Sequence, residues 1–110
     1  MGSSEAFPPE KVNRIKISGR AYQDPAEGAD FYDRQSLGVG DYFLDCLEAD
    51  IEGLKITGGI HRQLHGDYYR LLSRVFPYAV FYKFHEAIVE VRAVVDCRRN
   101  PSWIRKRLSE

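Results

Sequence analysis

Two adjacent arginines, Arg98 and Arg99, close a valine-rich run and stand just before Asn100-Pro101. Guanidinium groups carry planar arrays of donors that match carboxylates and phosphates. The pair is therefore the first candidate for contact with an acidic partner. Arg70 and Arg74 lie on an upstream run of alternating residues and are placed to join it on a common sheet. Cys97 precedes the pair, and neighbouring positive charge lowers a thiol pKa. No base adjoins it, so a catalytic thiol is disfavoured. His61 and His65 are four apart and could share a metal on a helix. Glycines flank them, so an exposed loop and no metal site are expected. Tyr68, Tyr69, Tyr78 and Tyr82 fall in apolar runs and read as core residues before catalytic ones. The residues alone identify no catalytic group and no cofactor.

These side chains need a scaffold, and the pattern supplies one. Residues 12–18 alternate with Ile15 and Ile17 on one parity, which predicts a strand. Asp24-Pro25 predicts a helix start, with aspartate as N-cap and proline in the first turn. That helix runs to about Gln35 and is broken by the glycines of Ser36-Leu37-Gly38-Val39-Gly40. A second helix over 41–54 places Phe43, Leu47, Ile51 and Leu54 on one face and Asp41, Asp45, Glu48 and Glu52 on the other. The short connector makes the two an antiparallel hairpin. Strands follow over 68–74, 77–84 and 88–96. The second of these is apolar on both parities and is expected at the centre of a sheet. The third is expected to turn Val89, Val91, Ala93 and Val95 towards the core, and Glu90, Arg92 and Asp96 away. His85-Glu86 is expected to form the hairpin turn between them. A short helical tail after Pro101 carries Trp103 and Leu108.

The chain thus reads β-α-α-β-β-β, an α+β fold. It combines an N-terminal strand, a helical hairpin on one face of an antiparallel β-meander, and a C-terminal helical tail. One domain over 12–110 follows a leader, 1–11, expected to be disordered. The 44% hydrophobic share suits a globule. No apolar run reaches the ~18 residues of a membrane span, no signal peptide is visible, and two cysteines make no disulfide scaffold. A cytoplasmic protein is expected. The zero net charge conceals a separation. Asp24 to Glu52 is acidic with Arg34 the single cation, and the segment from Arg92 onward is basic.

Three segments, ADFYDRQSLGVGDYFLDCLEADIEGL, GDYYRLLSRVFPYAVFYK and VRAVVDCRRNPSWIRKRL, resemble in order the toxins of the ParE/RelE superfamily, the toxin halves of bacterial type II toxin–antitoxin modules. The resemblance covers nearly all of 12–108. It implies a growth-arresting toxin neutralised by a cognate antitoxin, with Tyr82 and Trp103 among the antitoxin contacts. It also implies one of two targets: ParE-like members act on DNA gyrase, and RelE-like members cut mRNA in the ribosome. A ribosome-dependent nuclease needs a base, an acid and cations for the phosphate. RelE-like toxins tend to carry a Tyr or His near the C-terminus, and none stands after Val95 here. A neutral chain also suits the ribosomal RNA environment poorly. The ParE-like branch is favoured, with Arg70, Arg74, Arg98 and Arg99 as a basic toxicity patch; a nontoxic protein-binding member is the remaining alternative.

Overall fold

The structure is a computed structural model and describes residues 12–58, 63–64 and 66–110. The expected leader at 1–11 and the His61/His65 pair lie outside the described residues. The elements are β1 (Arg14–Ile17), α1 (Gly19–Gln23), α2 (Pro25–Gln35), α3 (Val39–Glu52), α4 (Leu54–Thr57), β2 (Gln63–Leu64), β3 (Tyr68–Leu72), β4 (Tyr78–His85), β5 (Ile88–Asp96) and α5 (Pro101–Leu108). The fold is α+β around one mixed sheet of order β1-β5-β4-β3-β2. Strands β2 to β5 pair antiparallel with their neighbours. The expectation of a wholly antiparallel sheet fails at β1, which runs parallel to β5 with Ile15 opposite Val89 and Ile17 opposite Val91. A parallel pair needs a long crossover, and here the whole hairpin and the other strands intervene. Strand β4, apolar on both parities, takes the central place expected of it.

Local chemistry explains most element ends. Ser18 caps α1, its hydroxyl accepting the Ala21 amide at 3.3 Å. Asn100 caps α5 in the same way, accepting from the Ser102 amide at 2.8 Å, with Pro101 following. Gly38, at φ 93°, makes the turn between α2 and α3 in a conformation that costs glycine little. Asp33 Oδ1 accepts the amides of Gly38 and Gly40 at 3.2 and 2.7 Å and locks that turn. The hairpin turn falls at Glu86 and Ala87, one residue later than expected. Both take positive φ, 52° and 65°, the pair of signs that two-residue hairpins need.

The core has two faces. Towards α2 and α3 it gathers Phe43, Leu47, Leu54, Tyr78, Val80, Tyr82, Val89, Val91 and Val94. Phe43, fully buried, is its aromatic hub, with ring centroids 5.1 Å from Tyr32 and Phe76 and 4.8 Å from Tyr78. On the opposite face Tyr68, Ala79, Phe81, Ala93 and Val95 pack with Leu108 and Ile104 of α5. The expected alternation of β5 therefore holds only to Val91. Phe81 pairs with Ala93 but Tyr82 with Val91, so Arg92 is an extra residue, a β-bulge. One inserted residue exchanges the faces: Val94 turns to the helical hairpin, while Ala93 and Val95 turn to α5. The same parity change brings Asp96 to the face of Tyr78, which it opposes across the strands.

Asp24 holds the N-cap position of α2 with Pro25 next, as predicted, but its side chain does not cap the helix. Its own backbone is helical, at φ −49° and ψ −43°. Its Oδ2 instead accepts the Val94 amide at 2.9 Å and the Arg107 guanidinium at 2.8 Å. Strand β1 stops pairing at Val91, where Ser18 makes the last backbone bond to β5. Beyond that point Asp24 serves the exposed strand edge.

Two outcomes check these assignments. Val91→Asp places an unpaired carboxylate in the helical face of the core and costs about 4 kcal/mol of stability; an unchanged thermal melt would contradict the face assignment. Replacing Glu86-Ala87 by Asn-Gly relieves two side chains held at positive φ and gains about 1 kcal/mol, read as a raised melting temperature.

Candidate functional site

The end of the sheet where β4 begins and β5 ends gathers the chain's chemistry, because Tyr78 pairs with Asp96 there. The turn after β5 folds around Asp96. Its Oδ1 accepts the Arg98 amide at 2.8 Å and Arg98 Nε at 2.9 Å, and its Oδ2 accepts the second guanidinium nitrogen at 2.7 Å. These bonds hold the Asp96 carboxyl below its ordinary value, with burial opposing. The Arg98 guanidinium also lies over the Phe31 ring of α2, 5.8 Å from its centroid. Arg99 turns the other way and stacks on Trp103 of α5 at 4.4 Å.

The four arginines do not form one patch. Arg74 precedes β4 at the same end, but its Nε is held at 3.1 Å by Asp50 of α3. Arg70 lies on β3 opposite Phe81, close enough to act on the Cys97 thiol. Two of the four are thus matched to carboxylates. Among the described residues Arg70 and Arg99 make no ion pair.

Proton chemistry finds little support. Burial pushes the Tyr78 phenol up to about 12, with Asp96 adding to the effect, so it keeps its proton at neutral pH. Burial likewise raises the Cys97 thiol despite the lowering influence of Arg70 and Arg98. The lowering that neighbouring arginines exert on this thiol is present, but desolvation outweighs it. Among the described residues no group of three or more His, Cys, Asp or Glu could hold a metal ion, and no helix is long and apolar enough to cross a membrane.

Tyr82 needs correction as a partner contact. It is 0% exposed, its hydroxyl donates to the Gly58 carbonyl at 2.5 Å, and its ring stacks on Tyr69. It holds the end of α4 to the sheet. Trp103, 39% exposed, remains accessible. A second surface adjoins the cavity lined by Arg99, and Val94 lines both. An apolar groove of about 850 Å³ runs between β1 and helices α2 and α3, lined by Ile15, Ile17, Tyr22, Leu44, Leu47 and Ile51. Strand β1 borders it as the edge of the sheet.

Sequence reasoning missed the roles of Asp24, Asp50 and Arg107. Pairing of the arginines with Asp96 was legible, because that carboxylate stands two residues before Arg98. The others pair across 83 residues for Asp24–Arg107 and 24 for Asp50–Arg74. No spacing in the chain reports such partners.

The Asp96 bonds make a pH prediction. A carboxyl whose folded pKa is depressed contributes stability that is present above its unfolded value, near 3.8, and is lost as pH falls through the folded value. Asp96→Asn should flatten the acid limb of melting temperature against pH; a limb as steep as the parent's would show that the pair does not contribute. Compared with known proteins, the chain matches no family model and no curated sequence.

Proposed function

We propose that the chain is a ParE-like toxin of a type II toxin–antitoxin module, neutralised by a cognate antitoxin and acting on DNA gyrase. The observation that carries the reading is the course of the chain, taken with its resemblance to that superfamily. A first strand lies parallel to the last long one, a helical hairpin covers one face, and antiparallel strands lead to an arginine-bearing turn. Growth arrest then follows from a binding surface and needs no chemistry. The basic turn meets gyrase through Arg99, with Arg70 on the neighbouring strand. Arg98 and Arg74, both matched to carboxylates, shape the surface more than they charge it. An acidic surface is the complement such cations select.

An antitoxin has a separate place to bind. Strand β1 offers an outer edge to an extended segment, and the groove beside it offers apolar pockets. Backbone pairing with alternating side-chain pockets is a common mode of peptide capture. Target and antitoxin surfaces are then distinct, and neutralisation acts by occlusion or by holding the helices.

The nuclease alternative has fewer supports. The last 14 residues after Asp96 contain neither Tyr nor His, and Tyr78 holds its proton to about 12. The test is a paired assay on the purified chain. It should inhibit gyrase supercoiling and leave mRNA intact in a translating extract. Message cleavage without gyrase inhibition would move the chain to the RelE-like branch. Normal growth on induction would leave a nontoxic binding protein.

A further inference from the structure

The cleft between the α1–α2 junction and α5 sets one buried ion pair beneath two exposed side chains. Arg107 is 7% exposed, and its guanidinium meets Asp24 Oδ2 at 2.8 Å. The same oxygen accepts the Val94 amide, so a single carboxylate joins α5 to the edge of β5. Trp103 precedes Arg107 by four residues in α5, which puts the two on one side of the helix, a turn apart. The indole of Trp103 carries the Arg99 guanidinium at 4.4 Å. Asp24, Trp103 and Arg99 line one cavity of about 320 Å³. Arg98 is held by Asp96 and Arg74 by Asp50, but Arg99 makes no ion pair among the described residues, although Glu27 and Asp96 line the same cavity and its charge helps lower the Asp96 carboxyl. Its place is set by the indole, and the indole's place by the roll of α5.

We infer that Asp24 and Arg107 are positioning residues for an Arg99–Trp103 contact surface. The ion pair fixes the roll of α5, the roll fixes the indole, and the indole presents Arg99 with its edge donors open. A guanidinium stacked on an aromatic face keeps its in-plane donors for a planar acceptor. The partner group it fits is a carboxylate on a protein surface. The Tyr68 hydroxyl steadies the far end of the helix by donating to the Leu108 carbonyl at 2.9 Å, and Arg20 pairs with Glu110 beyond it. Both contacts remain in place when the Asp24–Arg107 pair is broken, so variants of Asp24 or Arg107 separate their effect from that of the pair. For the identity of the target the inference rests on the toxin proposal; for the mechanical link it does not.

Trp103 is the chain's single tryptophan, so its fluorescence reports the stack alone. Asp24→Asn keeps the size and a carbonyl for the Val94 amide while removing the charge that holds Arg107. Arg107→Gln breaks the same pair from the helix, and either variant suffices if the other does not fold. Both are compared with the parent chain by Trp103 emission, acrylamide quenching, thermal melting and growth arrest on induction. The expected result is a folded variant whose Trp103 emission shifts to the red, quenches more readily, and accompanies a loss of growth arrest shared by Arg99→Gln. Unchanged emission and quenching in a folded variant would overturn the positioning role. Altered emission with full growth arrest would overturn the contact role of Arg99. A parent chain that arrests no growth would overturn the toxin proposal, while the fluorescence comparison still decides the positioning role.

Discussion

The extra residue at Arg92 governs how β5 is used. A strand without it would present Val89, Val91, Ala93 and Val95 to one side, and the opposite face would carry charge. With it, the first half of β5 serves the helical hairpin and the second half is buried on both faces. That double burial is what gives α5 an apolar surface to cover. It also leaves the strand edge beyond β1 in need of a hydrogen-bond partner, since an unpaired buried amide costs about 1–3 kcal/mol. Asp24 supplies that partner, and its second bond brings Arg107 with it. Bulge, open edge, carboxylate and C-terminal helix are thus linked by one irregularity.

The Asp24–Arg107 pair illustrates how little a buried ion pair reveals about stability by its presence. Assembling it removes two charges from water, and the gain is near balance. Losing one member leaves the other buried without a partner, at a cost of about 3–5 kcal/mol. Its value to the fold is directional: it lets α5 pack in one roll. The exposed pair Asp96–Arg98 plays a smaller part, fixing the turn that separates Arg98 from Arg99. Between them the two carboxylates give adjacent arginines different surroundings. One is neutralised against Phe31, and the other rides on an indole.

Charge separation along the chain takes on a clearer meaning in three dimensions. Asp41, Asp45, Glu48 and Glu52 are exposed on α3, as their helical spacing requires. Asp50, in the same helix, is buried and consumed by Arg74. The basic C-terminal segment loses Arg107 to Asp24 and Arg98 to Asp96. The apparent basic end is therefore smaller than the residue count, and Arg99 with Arg70 is what the described surface has left to offer from the four arginines first singled out. An apolar groove beside β1 offers a second surface next to that end.

The sequence by itself determined the elements that depend on near neighbours. The period of Phe43, Leu47 and Ile51 marked α3, alternation marked β1, Asn100-Pro101 marked the start of α5, and an apolar run of both parities put β4 at the centre. Each follows from residues within a turn or two of one another. Tertiary structure alone decided the rest. The bulge at Arg92 depends on pairing with Tyr82, and Asp24 abandons a capping role because Val94 and Arg107 offer it more. Tyr82 reads as core from its apolar strand, and its burial agrees; only the family resemblance made it a partner contact. Parallel pairing of β1 with β5, a strand more than 70 residues away, is likewise invisible to local pattern. Contacts of that range are set by how whole faces bury each other, and a short window of sequence holds only one side of each.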